Sequence, residues 1–161
     1  MKPDGHNETN QRLDATWSDR QDFYAGAAQR EARGILRFAP STYPFFAAVA
    51  FKGQARDPLP GKSARLAASY GVIPTTSGPA TGVPIDVRKL RDMRREMEPS
   101  DPLAVASGVT PENVEEILPY VTHILVSTGV SGPGDTFDAE KLSRLIERAR
   151  SFGKAVEPGY P

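Results

Sequence analysis

The chain contains no cysteine, and it has only two histidines and one tryptophan among its 161 residues. Without cysteine there can be no disulfide framework, no thiolate zinc site, no iron–sulfur cluster and no cysteine nucleophile. Two histidines are too few for a histidine-rich metal centre. We therefore expect neither a metal nor another cofactor.

The chain also has no excess of charge, because 20 lysines and arginines are balanced by 20 aspartates and glutamates. Binding to nucleic acid depends on basic groups that neutralise phosphates, so we expect no nucleic-acid partner. No apolar run approaches the ~20 residues of a membrane span. The polar N-terminus, Met1 to Asn10, has no signal-peptide core. These absences predict a soluble, cytoplasmic protein.

The length suits one domain with a hydrophobic core. We expect that domain to occupy residues 11–152, preceded by a disordered tail at 1–10 and followed by a short tail at 153–161. Fourteen glycines and fifteen prolines indicate many turns.

Short apolar runs alternate with amphipathic helical patterns along this domain. The pattern predicts strands at 11–17, 45–51, 72–76, 103–106 and 123–127. It predicts helices at about 20–38 and 62–70, and three more that begin at the caps Asp86, Thr110 and Asp138. The charged run from Arg88 to Glu98 is expected to be a solvated helix face. Five β-α units in succession require a mainly parallel sheet covered by helices.

The residues that follow the strands favour one type of α/β fold over another. A hydroxyl residue and a glycine end three consecutive strands, at Ser77-Gly78, Ser107-Gly108 and Thr128-Gly129. Barrel enzymes keep their sites at this end of the strands. A dinucleotide-binding sheet would instead carry its glycine fingerprint after the first strand, where none is present. We predict a partial (β/α)8 TIM barrel, with an open flavodoxin-like sheet as the weaker alternative.

Two stretches resemble known barrel families. Pro102 to Arg150 is similar to the last two β-α units of phosphate-binding barrels such as phosphoribosylanthranilate isomerase. Over Gln11 to Arg150 the chain resembles the BtpA/SgcQ family, in which a strand ending in lysine is followed by a helix and a strand ending in a Thr-Gly-x-x-Thr-Gly loop. Here the lysine is Lys52 and the loop is Thr76-Ser77-Gly78-Pro79-Ala80-Thr81-Gly82. Gly53 stands where that pattern has a histidine.

The resemblance implies a barrel of about eight units, which needs roughly 250 residues. Five units therefore correspond to the C-terminal part of such a barrel. The missing strands could come from an N-terminal barrel segment of a longer protein, from a different chain, or from self-association as a homo-oligomer. The sequence leaves these three open.

The strongest functional signal lies in the loops after the last two predicted strands. Glycine there lets backbone approach a ligand, hydroxyls donate hydrogen bonds, and a helix start favours an anion. In barrels a phosphate often lies between these two loops. The candidate phosphate-binding residues are Gly108, Thr110, Thr128, Gly129 and Ser131.

A second set of residues is expected to line the rest of a substrate pocket. A lysine at a barrel mouth can neutralise a phosphate or carboxylate, and burial can lower its pKa enough for base chemistry. Lys52 and Asp14, an acid near the end of the first predicted strand, are therefore the catalytic candidates. His123 is expected to be structural, because it starts a strand at the opposite end. The candidate pocket residues are Thr76, Ser77, Gly78, Thr81, Gly82 and Ser107.

Two functions from different classes fit these observations. The first is a metabolic enzyme, an isomerase, lyase or transferase, that acts on a small sugar- or nucleotide-phosphate. The second is a non-catalytic, BtpA-like assembly or regulatory factor that keeps the anion pocket without turnover.

Overall fold

The computed structural model describes residues 15–18 and 44–155. Within them lie five strands: β1 (Thr16–Ser18), β2 (Phe45–Ala48), β3 (Ile73–Thr76), β4 (Ala104–Ala106) and β5 (His123–Leu125). Each strand pairs in parallel with the next along the chain, so the spatial order is β1-β2-β3-β4-β5.

Helices connect the strands of this sheet. They are α1 (Pro60–Ser69), α2 (Val87–Glu96), α3 (Val114–Ile117) and α4 (Ala139–Ala155). Single 3₁₀ turns follow at Leu118–Tyr120, Thr128–Val130 and Pro133–Asp135. Among the described helices, none combines the length and hydropathy needed to cross a bilayer.

The strand order decides between the two folds that the sequence left open. A flavodoxin-like sheet reverses direction at a switch point, so its spatial order differs from its chain order. Here each new parallel strand is added on the same side of the previous one. That is the winding of a (β/α)8 barrel, and the chain forms part of one. The open-sheet alternative is wrong.

Two of the three predicted helix caps are confirmed. Asp86 accepts a hydrogen bond from the Arg88 amide at 2.9 Å, and Asp138 accepts from the amides of Glu140 and Lys141, both at 3.0 Å. These carboxylates satisfy amides that have no partner inside the helix.

The third predicted cap differs from expectation. The Thr110 hydroxyl does accept a hydrogen bond from the Glu112 amide at 3.2 Å. However, the Thr110 amide donates to Asn113 Oδ1 at 2.9 Å, and the regular helix begins only at Val114. The local Asn113 bonds therefore form a turn where a helix was predicted.

The strand predicted at 45–51 ends at Ala48. Ala50 has φ +47°, a left-handed conformation that interrupts an extended strand. The first predicted strand, at 11–17, overlaps β1, and the helix predicted at 20–38 lies outside the described residues.

The main core lies between the sheet and the helices. Leu90 and Met93, on one face of α2, are fully buried against residues from alternate positions of the strands, including Phe45, Ala47 and Val105. The opposite face of the sheet carries a smaller cluster formed by Phe46, Ile73 and Ala104. Burial on both faces explains why the central strands are almost entirely apolar.

The Gly61-Lys62-Ser63 sequence resembles the end of a phosphate-binding P-loop, but its role is in packing. Gly61 lies at the start of α1, and a Cβ there would lie 2.7 Å from Glu96 Cγ of α2. The glycine therefore allows α1 and α2 to approach closely.

We expect Ser63→Ala to raise the free energy of unfolding by about 1 kcal/mol. Ser63 is fully buried, and its hydroxyl has no hydrogen-bond partner, so the native state loses the hydration of that group without compensation. Urea unfolding of the variant measures the change. Ser69→Ala is the control, because that exposed hydroxyl donates to the Leu66 carbonyl. Destabilisation by Ser63→Ala would contradict the prediction.

Candidate functional site

Three neighbouring loops meet around Lys52 at the carboxyl end of the sheet. The Lys52 ammonium donates hydrogen bonds to Thr81 Oγ1 at 2.9 Å and to Ser107 Oγ at 3.3 Å. The Gly82 amide also donates to Ser107 Oγ, at 3.2 Å. We call these four residues the Lys52 cluster. It joins the loops that follow β2, β3 and β4.

Buried hydroxyls hold the base of this cluster. The Ser77 hydroxyl accepts from the Lys52 amide at 2.8 Å and donates to the Gly78 carbonyl at 2.8 Å. The Thr76 hydroxyl donates to the Ala50 carbonyl at 3.3 Å. Both side chains are almost completely buried, so they brace neighbouring strand ends and offer little surface to a ligand.

The backbone at Ser107 is strained. Its φ is +69°, although it is not a glycine, and this conformation costs of order 1 kcal/mol or more. The conformation is held by the two hydrogen bonds that its hydroxyl receives from Lys52 and Gly82. Strain of this kind concentrates at ligand sites, which makes Ser107 a site candidate on structural grounds.

No acid compensates the charge of Lys52 among the side chains that the structure describes. Within residues 15–18 and 44–155, Asp135 apart, no carboxylate lies within 4.0 Å of its ammonium, which lies 5.8 Å from the centre of the Phe51 ring. A half-buried cation surrounded by hydroxyls is a suitable partner for an anion.

The space beside three glycines of the predicted site is filled by other parts of the protein. A Cβ at Gly78 or Gly108 would overlap the Val83 carbonyl, and a Cβ at Gly129 would overlap the Val109 carbonyl. Each glycine therefore lets a neighbouring loop come close. The absence of a side chain at these positions is explained without a ligand.

The hydroxyls of the predicted phosphate site differ in their availability. Ser131 Oγ donates to the Ser127 carbonyl at 3.1 Å, so it is used within its own loop. Thr110 lies beside Glu112, and hydrogen bonding to Thr110 holds the pKa of that carboxyl below its ordinary value, which places a negative charge next to Thr110. Thr128 is exposed.

The structure thus divides the sequence-predicted residues into groups. Lys52, Thr81, Gly82 and Ser107 are in direct contact, with Ser77 beneath them. Gly129 packs against the Val109 carbonyl and Gly108 against the Val83 carbonyl, whereas Thr110 and Ser131 bond within their own loops. The catalytic candidate Asp14 lies outside the described residues.

Sequence reasoning missed Lys89. Its ammonium donates to the Ala50 carbonyl at 2.5 Å and to the Ser77 carbonyl at 3.0 Å, which joins the ends of β2 and β3. Burial lowers its pKa to about 8, while the charge of Asp57 opposes that shift. The charged run from Arg88 to Glu98 is therefore not entirely a solvated face.

Arg94 departs from that expectation as well. Its guanidinium donates to the Tyr120 carbonyl at 3.1 Å and the Asp101 carbonyl at 2.8 Å. Other members of the run do form the expected solvated face, since Arg95 forms an exposed ion pair with Asp92 at 3.6 Å. For Lys89, the signal available in the sequence was its position. It directly precedes the buried Leu90 in the first turn of α2.

A cavity of about 560 Å³ lies beside Lys52, between the β2–α1 and β3–α2 loops. It extends from Lys52 to Lys89 and includes Ser77 and Gly78 of the predicted pocket. Among the described residues, the charged side chains that line it are Lys52, Arg56, Asp57, Asp86 and Lys89.

His123 lies away from the Lys52 cluster, at the amino end of β5. Its ring meets Phe46 edge-on at 5.4 Å, and its Nδ1 lies 2.7 Å from the Thr122 hydroxyl. These contacts fit the structural role predicted for it. The part of the chain that the structure describes contains no group of three or more histidine, aspartate or glutamate residues able to hold a metal.

These features define the class of the protein as a partial (β/α)8 barrel with a polar, cationic mouth at the carboxyl end of its strands. No protein-family model matches the chain, and no curated protein matches its sequence.

Several solved structures are similar to the chain. One is N-(5'-phosphoribosyl)anthranilate isomerase from Pyrococcus furiosus, with 22% identity and a TM-score of 0.46 over 68% of this chain and 52% of that one. The chain thus spans about half the length of that enzyme. Phosphoribosyl anthranilate isomerase from Thermotoga maritima gives 15% identity and a TM-score of 0.40, over 86% of this chain and 89% of that one. A native KDPGal structure gives 12% identity and a TM-score of 0.42, over 78% of this chain and 66% of that one. Identities and TM-scores as low as these carry no argument by themselves. The fold assignment therefore rests on the order of the strands in the sheet.

Proposed function

We propose that the protein binds a small phosphorylated metabolite at the Lys52 cluster and acts on it as an enzyme. One observation carries this proposal: a half-buried ammonium held by two hydroxyls, with no carboxylate beside it among the described side chains, at the carboxyl end of consecutive barrel strands. Side chains at this end of a barrel face the site where substrates bind. A sugar- or nucleotide-phosphate has the charge and hydroxyls that match the cluster.

The phosphate in this proposal lies between Lys52 and the neighbouring loops after β4 and β5. Lys52 supplies charge, the Thr128 hydroxyl supplies a donor, and the backbone around Gly108 and Gly129 supplies further amides. The lysine after β2 and the 76–82 loop after β3 occur in the order required by the BtpA/SgcQ resemblance. That order supports membership of this family as part of the proposal.

A non-catalytic assembly or regulatory role is the second candidate. It is favoured by the composition of the Lys52 cluster, in which a lysine, two hydroxyl residues and a glycine make all the recorded hydrogen bonds. General acid–base catalysis needs a titratable group within hydrogen-bond reach of the substrate. In the described ranges, only Lys52 could supply one within the cluster.

We expect Lys52→Met to weaken the binding of ribose 5-phosphate at least tenfold, about 1.4 kcal/mol, because the main positive charge of the cluster is lost. The measurement is the ligand-induced rise in melting temperature, which depends on ligand concentration over Kd. Arg95→Met is the control. It also removes one positive charge, but at the carboxyl end of α2, away from the Lys52 cluster, and it should leave binding unchanged.

A wild-type melt that does not move with ribose 5-phosphate or inorganic phosphate would contradict phosphate binding. If both ligands shift the melt, phosphorus NMR of sugar phosphates incubated with the protein separates the two candidates. New resonances that are absent with Lys52→Met indicate an enzyme. Binding without new resonances favours the assembly or regulatory factor.

A further inference from the structure

The described residues that line the cavity beside Lys52 include more basic than acidic side chains. Three of them are basic, Lys52, Arg56 and Lys89, and two are acidic, Asp57 and Asp86. We call it the Lys89 cavity. What it binds depends on which of these charges are already paired.

Each acid serves the start of a helix, although the charge of Asp57 still acts on Lys89 and its second oxygen, Oδ2, is buried without a hydrogen-bond partner among the described residues. Asp57 Oδ1 accepts from the Leu59 amide at 2.8 Å, at the start of α1. Asp86 caps α2 and pairs with the Arg88 guanidinium at 2.9 Å. Neither lies within 4.0 Å of Lys89 or Arg56. Among the described side chains, no carboxylate therefore forms a direct ion pair with Lys52, Arg56 or Lys89.

Lys89 is a fixed, preorganised cation. Its hydrogen bonds to the Ala50 and Ser77 carbonyls hold the ammonium at the wall of the cavity, and these two bonds use only two of its three N–H donors. Because the side chain is already ordered, little conformational entropy is lost when an anion binds to it.

Arg56 provides a second, freely available donor group. Its guanidinium is exposed and makes no hydrogen bond or ion pair with the residues described. A guanidinium presents five N–H donors in a planar arrangement that suits carboxylate and phosphate groups. Half-buried Lys89 and exposed Arg56 therefore border one cavity, of a size typical for small-molecule sites.

We propose that the Lys89 cavity is a binding site for a small organic or inorganic polyanion, one that carries at least two carboxylate or phosphate groups, with Lys89 and Arg56 as its main contacts. Two acidic groups match two cations on different walls, and the volume of about 560 Å³ exceeds what a single phosphate occupies. Arg56 and Lys89 lie outside the Lys52 cluster, and Lys52 lines the cavity as well, so the two proposed sites are neighbours that share that one residue.

Isothermal titration calorimetry with citrate and with pyrophosphate tests this site at low ionic strength. Citrate carries only carboxylates and pyrophosphate only phosphates, so the two probes distinguish the sources of the charge. We expect at least one to bind, with its Kd raised at least tenfold by Arg56→Gln and again by Lys89→Met. Arg65→Gln, which removes an exposed arginine of α1 outside the cavity lining, should not change the Kd.

Arg56 is exposed, so its variant tests the site without disturbing the contacts of Lys89 to the strand ends. If neither probe binds, or if both variants bind as tightly as the wild type, the proposal is overturned. The same variants titrated with ribose 5-phosphate separate the two proposals. Loss of citrate or pyrophosphate binding with unchanged ribose 5-phosphate binding leaves the Lys52 proposal intact. A wild type that binds citrate or pyrophosphate but not ribose 5-phosphate leaves the cavity proposal intact and contradicts the Lys52 proposal.

Discussion

Gly108→Ala is expected to lower the free energy of unfolding by about 3 kcal/mol. Gly108 has φ +70°, where alanine costs roughly 1–2 kcal/mol relative to its usual conformations. The added Cβ would also overlap the Val83 carbonyl. That carbonyl belongs to backbone, which cannot rotate away as a flexible side chain can. The whole loop that follows β3 must move to accept the methyl group.

Gly134→Ala is the matched control for this substitution. Gly134 has nearly the same φ, +71°, but a Cβ there meets nothing within 4 Å. It should therefore show only the conformational cost, about 1 kcal/mol. Thermal unfolding compares the two variants, and a domain of this size loses about 2–4 °C per kcal/mol. Equal losses of stability in the two variants would mean that the close approach of the Val83 carbonyl does not explain the need for glycine at Gly108.

The order of the strands could be predicted from the sequence, because β-α alternation constrains parallel strands strongly. The ends of the strands could not. The apolar run from Phe45 to Phe51 suggests one long strand, but Ala50 adopts a left-handed conformation that nothing in its residue type indicates. Its carbonyl is held by Thr76 and Lys89, which come from later units. Local sequence cannot report contacts made by residues so far along the chain.

The candidate site shows the same division. Lys52 could be found from its position after an apolar run, and hydroxyl-glycine pairs marked the ends of the next strands. Its contacts with Thr81 and Ser107 required knowledge of which loops lie side by side. The glycines were expected to let the backbone approach a ligand, and the sequence could not show that the carbonyls of Val83 and Val109 lie against them instead.

Lys89 was missed because charge on an amphipathic helix ordinarily faces water. Its long side chain instead extends past the first turn of α2 to the strand ends, where its ammonium donates hydrogen bonds to two carbonyls. In a β-α unit the start of the helix follows closely on the carboxyl end of the preceding strand. A lysine that flanks the apolar stripe in this first turn is therefore able to reach the barrel mouth.

Lys89 should also give the protein a distinctive pH dependence. Burial lowers its pKa to about 8 from the ordinary value of 10.5, so between these values the unfolded chain binds more protons than the native state. Stability therefore rises with pH across this window and falls as pH drops through about 8. The contribution of Lys89 to the free energy of unfolding should increase by about 2 kcal/mol between about pH 7 and about pH 9.5.

Lys89→Met isolates this effect, because it removes the titrating group and keeps an unbranched side chain of similar length. Urea unfolding across the pH range should show the wild type gaining stability relative to the variant as pH rises. Lys62→Met, at an exposed lysine of α1, should show no such relative change. A constant difference between wild type and Lys89→Met would mean that the ammonium is as well solvated in the native state as in the unfolded chain. In that case Lys89 would not be the buried cation that joins Ala50 to Ser77.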